Sequence, residues 1–115
     1  MSKLTIFVRN AELSRKAKMF GSMDCYLRIH TSDGASYKTQ TKEGCGMTPV
    51  WDENLVILNY DGKAITCEVL DAENNDQVGS VNINPEEFGR PSYTISFNGT
   101  DAGAINLIFT LEKPK

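Results

Sequence analysis

No apolar run in this 115-residue chain is long enough to cross a bilayer, and no amino-terminal stretch has the apolar core of a secretory leader. The segment from Leu4 to Val8 is short, is broken by Thr5 and runs into Arg9. Basic excess is also missing. Twelve Lys and Arg stand against fifteen Asp and Glu, a net charge of −3, so no overall positive field argues for nucleic acid. Cysteine is sparse and odd in number. Cys25, Cys45 and Cys67 make neither a disulfide framework nor a zinc-type cluster, and without a leader they read as reduced thiols of a cytosolic chain. Histidine occurs once, at His30. Cys25 lies five residues before it on the same expected strand, so the two project from opposite faces and form no nucleophile–base pair. Asp71, Glu73 and Asp76 have the residue types of a glycosidase pair, but a chain this small has no sequence to spare for a cleft. No constellation with assignable catalytic roles emerges, and an enzyme is not expected. No repeat, linker or low-complexity tract interrupts the chain, which reads as a single domain over residues 1–115.

Short alternating runs separated by turn residues dominate instead. Residues 4–9, 25–30, 37–41, 54–58, 65–70, 78–83, 93–97 and 104–111 read as strands. Ser32-Asp33-Gly34, Asp61-Gly62 and Asn98-Gly99 supply turns, because Asp and Asn tolerate left-handed backbone and Gly adopts it freely. Asn98-Gly99-Thr100 also matches a glycosylation signal, but in a cytosolic chain the turn is the better account. Asn84-Pro85-Glu86-Glu87-Phe88 predicts one helical turn, with Asn as cap and Pro at the first position. No helix is long enough for a parallel crossover. The pattern predicts an all-β fold, an eight-stranded antiparallel β-sandwich.

One stretch carries concentrated chemistry. After the strand at 65–70, Asp71-Ala72-Glu73-Asn74-Asn75-Asp76 places three carboxylates and two amides in a loop at a sheet's end. Hard cations such as calcium take oxygen cages of this kind. A solvated acidic turn has the same composition.

Residues 4–13, 21–26, 48–54 and 69–73 with 76–79 together resemble, in order, the C2 domain, a calcium- and phospholipid-binding β-sandwich. Leu4-Thr5-Ile6-Phe7-Val8-Arg9-Asn10-Ala11-Glu12-Leu13 is similar to its first strand. Gly21-Ser22-Met23-Asp24-Cys25-Tyr26 resembles its first loop, and Thr48-Pro49-Val50-Trp51-Asp52-Glu53-Asn54 resembles its Asn-Pro-x-Trp-Asn-Glu turn. Val69-Leu70-Asp71-Ala72-Glu73 with Asp76-Gln77-Val78-Gly79 resembles its third loop. Opening directly on that strand and closing on an extra one at 105–111 resembles the circularly permuted type II arrangement.

The resemblance implies a calcium site between first and third loops, built from five acids. Four match here, as Asp24, Asp71, Glu73 and Asp76, while Lys18 falls where the fifth is expected. An ammonium in place of a carboxylate implies an incomplete site with weak calcium binding or none. Lys18 serves there as a built-in counter-ion, or else lies along the surface with its head in water. The resemblance further implies anionic phospholipid as partner. Arg15, Lys16 and Lys18 precede the apolar pair Met19-Phe20, a pattern suited to headgroups and the acyl boundary, or else Met19 and Phe20 fold back onto the sandwich. Lys38, with Lys42, marks a lateral basic face or simply a solvated one. The expected function is a non-catalytic, cytoplasmic membrane-targeting module in peripheral association. A protein–protein scaffold with degenerate loops is the alternative, and calcium-dependent lipid binding a second.

Overall fold

The computed structural model describes residues 2–17 and 21–113. Eight strands follow one another: β1 (Ser2–Leu13), β2 (Cys25–His30), β3 (Ser36–Lys38), β4 (Val50–Tyr60), β5 (Ile65–Asp71), β6 (Asp76–Ile83), β7 (Ser92–Phe97) and β8 (Thr100–Glu112). A 3₁₀ turn at Pro85–Glu87 lies between β6 and β7, where the Glu87 carboxylate accepts hydrogen bonds from the backbone and side-chain N–H groups of Asn84.

The strands run β3-β2-β5-β6-β7-β8-β1-β4, antiparallel throughout. Among the described residues, β6 and β7 pair through one position, Ser80 with Ser96. That narrow junction lets the sheet fold over into two four-stranded layers facing one another. Gly79 sits at the fold. A Cβ there would lie 2.9 Å from the Ala102 Cβ and 3.1 Å from Ile95, so only glycine permits the close approach. Period-two alternation buries Leu4, Ile6 and Val8 of β1, Leu27 and Ile29 of β2, Cys67 and Val69 of β5, and Ile105 and Leu107 of β8 between the layers. The Trp51 indole N–H donates to the Cys25 carbonyl at 3.2 Å and ties one layer to the other. Phe88 stacks on Phe109 with centroids 4.1 Å apart, and Tyr93 meets Phe109 edge-on, closing the end near Tyr60.

Element types match the expectation, while some bounds differ for physical reasons. β1 continues to Leu13 because the N–H groups of Ala11 and Leu13 donate to Pro49 and Met47 after a register shift at Val8/Asn10. β4 starts at Val50, ahead of the expected residue 54, with Asp52 in left-handed backbone (φ 49°) breaking the alternation. β3 stops at Lys38, and Thr39 instead closes on Leu27, its N–H donating to the Leu27 carbonyl and its Oγ1 accepting from the Leu27 N–H.

Candidate functional site

Three connections meet at one end of the sandwich, their described residues being 14–17 with 21–24, 39–49 and 72–75. Short backbone bonds hold them together. Lys42 and Cys25 exchange N–H···O bonds of 3.1 and 2.9 Å, the Cys45 N–H donates to Met23 at 3.0 Å, and the Ala72 N–H donates to Asp24 at 2.7 Å. The expected acids fall here because β2 and β5 are in register: Cys25 faces Asp71, and Asp71 faces Asp76 across the β5–β6 turn.

The acids are not equivalent. Asp71 is 2% exposed. Its Oδ1 accepts from the backbone N–H groups of Asp24 and Glu73, each at 3.3 Å. Asp24 is half-buried, and its Oδ1 accepts from the Gly44 N–H at 2.8 Å. Glu73 and Asp76 are exposed. Thus Asp24 and Asp71 come together, but through backbone amides rather than around a common point. Among the described residues, no three His, Cys, Asp or Glu side chains gather as a metal would require. Calcium wants about six to eight oxygens. This donor set, with two carboxylates already accepting from amides, does not fit a calcium cage. Lys18 lies outside the described residues.

The basic residues also divide. Arg15 turns inward: its Nη1 donates to the carbonyls of Gln77 (2.9 Å) and Val78 (3.1 Å), and its guanidinium lies 3.7 Å from the Phe97 ring centroid. A planar, weakly hydrated cation suits two carbonyls and an aromatic face together. Arg15, expected beside a lipid-facing tip, is thus held against β6 and β7. Lys16 is exposed, with its ammonium 3.3 Å from the Gly21 carbonyl. Met19 and Phe20 lie outside the described residues. Lys38 is exposed on β3, with its Nζ 5.7 Å from the centre of the Tyr26 ring, and the Tyr26 hydroxyl donates to Asn75 at 2.8 Å.

A cluster that the sequence did not announce covers the outer face of β2, β5 and β6. Glu68 is only 7% exposed, yet it accepts from Arg28 Nε (2.8 Å) and Gln77 Nε2 (2.8 Å) and meets His30 Nε2 at 2.6 Å. Desolvation opposes its ionisation, but the bonds from His30, Gln77 and Arg28 together outweigh that and hold the carboxyl below its ordinary range. Alternation alone places these side chains on one face, yet nothing in their spacing marks Glu68 as the hub.

Two thiols lie on paired segments here. Cys45 is half-buried and donates to the Met23 carbonyl at 3.3 Å, two residues from the buried Cys25. Burial first, and Cys45 second, push the Cys25 thiol well above the ordinary thiol range. Cys67 is buried on β5, its thiol pushed up to about 12 by desolvation and then by Glu68.

The family model described as "C2 domain" matches residues 2–98. Among solved structures, the first C2 domain (domain A) of a plant extended synaptotagmin 1 superposes with a TM-score of 0.82 at 17% identity, covering 99% of this chain and 96% of that one. Extended-synaptotagmin 2, in a fragment holding its SMP domain and two C2 domains, gives 0.77 at 14% identity over 96% of this chain and 25% of that one. Human GIVD cytosolic phospholipase A2 gives 0.73 at 20% identity, covering 99% of this chain and 17% of its own length. No curated protein sequence matches. At such identities the superpositions speak for the fold. The family match spans most of the chain and includes the β1–β2 and β5–β6 connections, and the chain belongs to the C2 domain family.

Proposed function

We propose that this domain docks to anionic phospholipid surfaces through the loop end formed by residues 14–24, 39–49 and 72–75, with little or no dependence on calcium. One observation carries the reading: the Asp24 and Asp71 carboxylates accept from backbone amides, and among the described residues they join no group of three or more candidate metal ligands. Lys16 and Lys18 with Met19 and Phe20 supply charge and apolar tip, and Lys38 adds a cation on the adjoining β3 edge. Each cation near such a surface contributes about 1 kcal/mol before screening, so docking is weak and reversible. Association is peripheral, on the cytoplasmic side.

A second reading, a protein-interaction scaffold, draws on Leu58 (68% exposed) and Ile108 (49%) on the outer face of β4 and β8. Co-sedimentation with phosphatidylserine vesicles separates the two. Equal binding in calcium and in chelator is expected. Binding in calcium alone overturns the calcium-independent reading, and no binding in either leaves the scaffold. Lys18→Asp should create no calcium affinity detectable by calorimetry. A clear binding isotherm would mean the remaining acids can still converge.

A further inference from the structure

The strongest unassigned chemistry is the thiol pair at this end of the sandwich. Cys25 opens β2 and is buried; Cys45 lies in the 39–49 connection and is half-buried. Their approach is built by the backbone. Cys25 and Lys42 are bridged by two hydrogen bonds, and three residues later Cys45 is pinned to Met23 through both its N–H (3.0 Å) and its thiol (3.3 Å). These bonds set the Cys45 thiol against the Met23 carbonyl, two residues from Cys25, in the segment paired with β2.

We propose that Cys25 and Cys45 are an oxidative modification site, a dithiol that closes to an intramolecular disulfide when the domain meets a low-molecular-weight disulfide. This stands independently of the lipid reading. Cys45, the more accessible sulfur, attacks one sulfur of the oxidant. The oxidant's S–S bond breaks, a Cys45 mixed disulfide forms and one small thiol leaves. The Cys25 sulfur then attacks Cys45 Sγ and expels the second small thiol. The two protein thiols lose two hydrogens and are oxidised, and the small disulfide is reduced to two thiols carrying those protons. The second step needs a buried sulfur to act as nucleophile, so closure proceeds over minutes to hours rather than seconds. The product ties the 39–49 connection to β2, and with it the Gly44 N–H that binds Asp24. An oxidising environment would thus stiffen the loop end.

The sequence suits the test. Trypsin cleavage at Lys18, Arg28, Lys42 and Lys63 puts Cys25 on peptide 19–28 and Cys45 on peptide 43–63, each with one cysteine. The folded domain is incubated with oxidised glutathione, excess thiols are alkylated after denaturation in acid, and peptides are mapped without reduction. The expected product is peptide 19–28 cross-linked to 43–63, with Cys67 alkylated, and a higher urea midpoint for the oxidised protein. Cys45→Ser, at a half-buried position, should leave Cys25 fully alkylatable. Recovery of Cys45 only as a glutathione adduct with Cys25 free overturns the proposal, as does a cross-link found solely between chains.

Discussion

Replacing Arg15 by Met separates a fastening role from a lipid-contact role. Methionine keeps much of the stem and removes the guanidinium. One nitrogen bridges the Gln77 and Val78 carbonyls, and a hydrogen bond from a charged donor contributes about 1.5–3 kcal/mol. Stacking on Phe97 adds about 0.5–1 kcal/mol at a partly exposed site. Because Arg15 is half-buried and its bonds share a nitrogen, the lower ends apply, and the loss should be about 2 kcal/mol. For a chain of this length that lowers the midpoint of thermal unfolding by about 8 °C. Vesicle binding by the folded protein should be nearly unchanged. Lys16→Met, at an exposed position, should do the reverse: stability within about 0.5 kcal/mol of the parent, and vesicle partitioning weaker by about fivefold, the equivalent of about 1 kcal/mol. Calorimetry and co-sedimentation on both variants check this. An Arg15→Met protein with an unshifted midpoint and a fivefold loss of partitioning would refute the assignment.

Two further outcomes follow from described geometry. The Glu68 carboxyl is held below its ordinary range in the folded state, so its contribution is complete above the unfolded carboxyl pKa of about 4.3 and is lost as pH falls through the lower folded value. Urea midpoints measured across that acid range should therefore fall less steeply in Glu68→Gln than in the parent; parallel curves would discount the cluster. Gly103 has a φ of +126°, and a Cβ there would lie 2.3 Å from the Glu12 carbonyl oxygen, so Gly103→Ala combines backbone strain with a clash and should cost about 3–5 kcal/mol, read as a collapse of the urea midpoint.

The strands were legible because alternation is a local property. Leu4, Ile6 and Val8, or Cys67 and Val69, declare their buried face without knowledge of any partner. Interruptions were not. The Val8/Asn10 register shift and the left-handed Asp52 break the period, so β1 and β4 read shorter than they are. On β5, Leu70 is buried on the outward face because it pairs there with Tyr26, itself anchored by Asn75. The site divides in the same way. That Asp24 and Asp71 share one end could be read through the resemblance of their loops. That their carboxylates accept from Gly44, Asp24 and Glu73 could not, because it depends on where backbone N–H groups point. Arg15 is the sharpest case. Its partners are carbonyls more than sixty residues away, and a carbonyl has no letter in a sequence.

The pairing of β1 with β8 sets an order of assembly. β1 lies between β4 and β8, and its ladder to β8 runs from Lys3↔Glu112 to Leu13↔Gly103. β4 emerges early enough to zip onto one flank of β1, while the other flank waits for roughly fifty more residues, several seconds at ribosomal speed. Throughout that interval β1 offers an open row of amides and carbonyls, the kind of edge on which foreign strands grow. Translation that stalls between β4 and β8 should therefore yield sticky nascent chains, and the last strand of the domain is the one that seals the first.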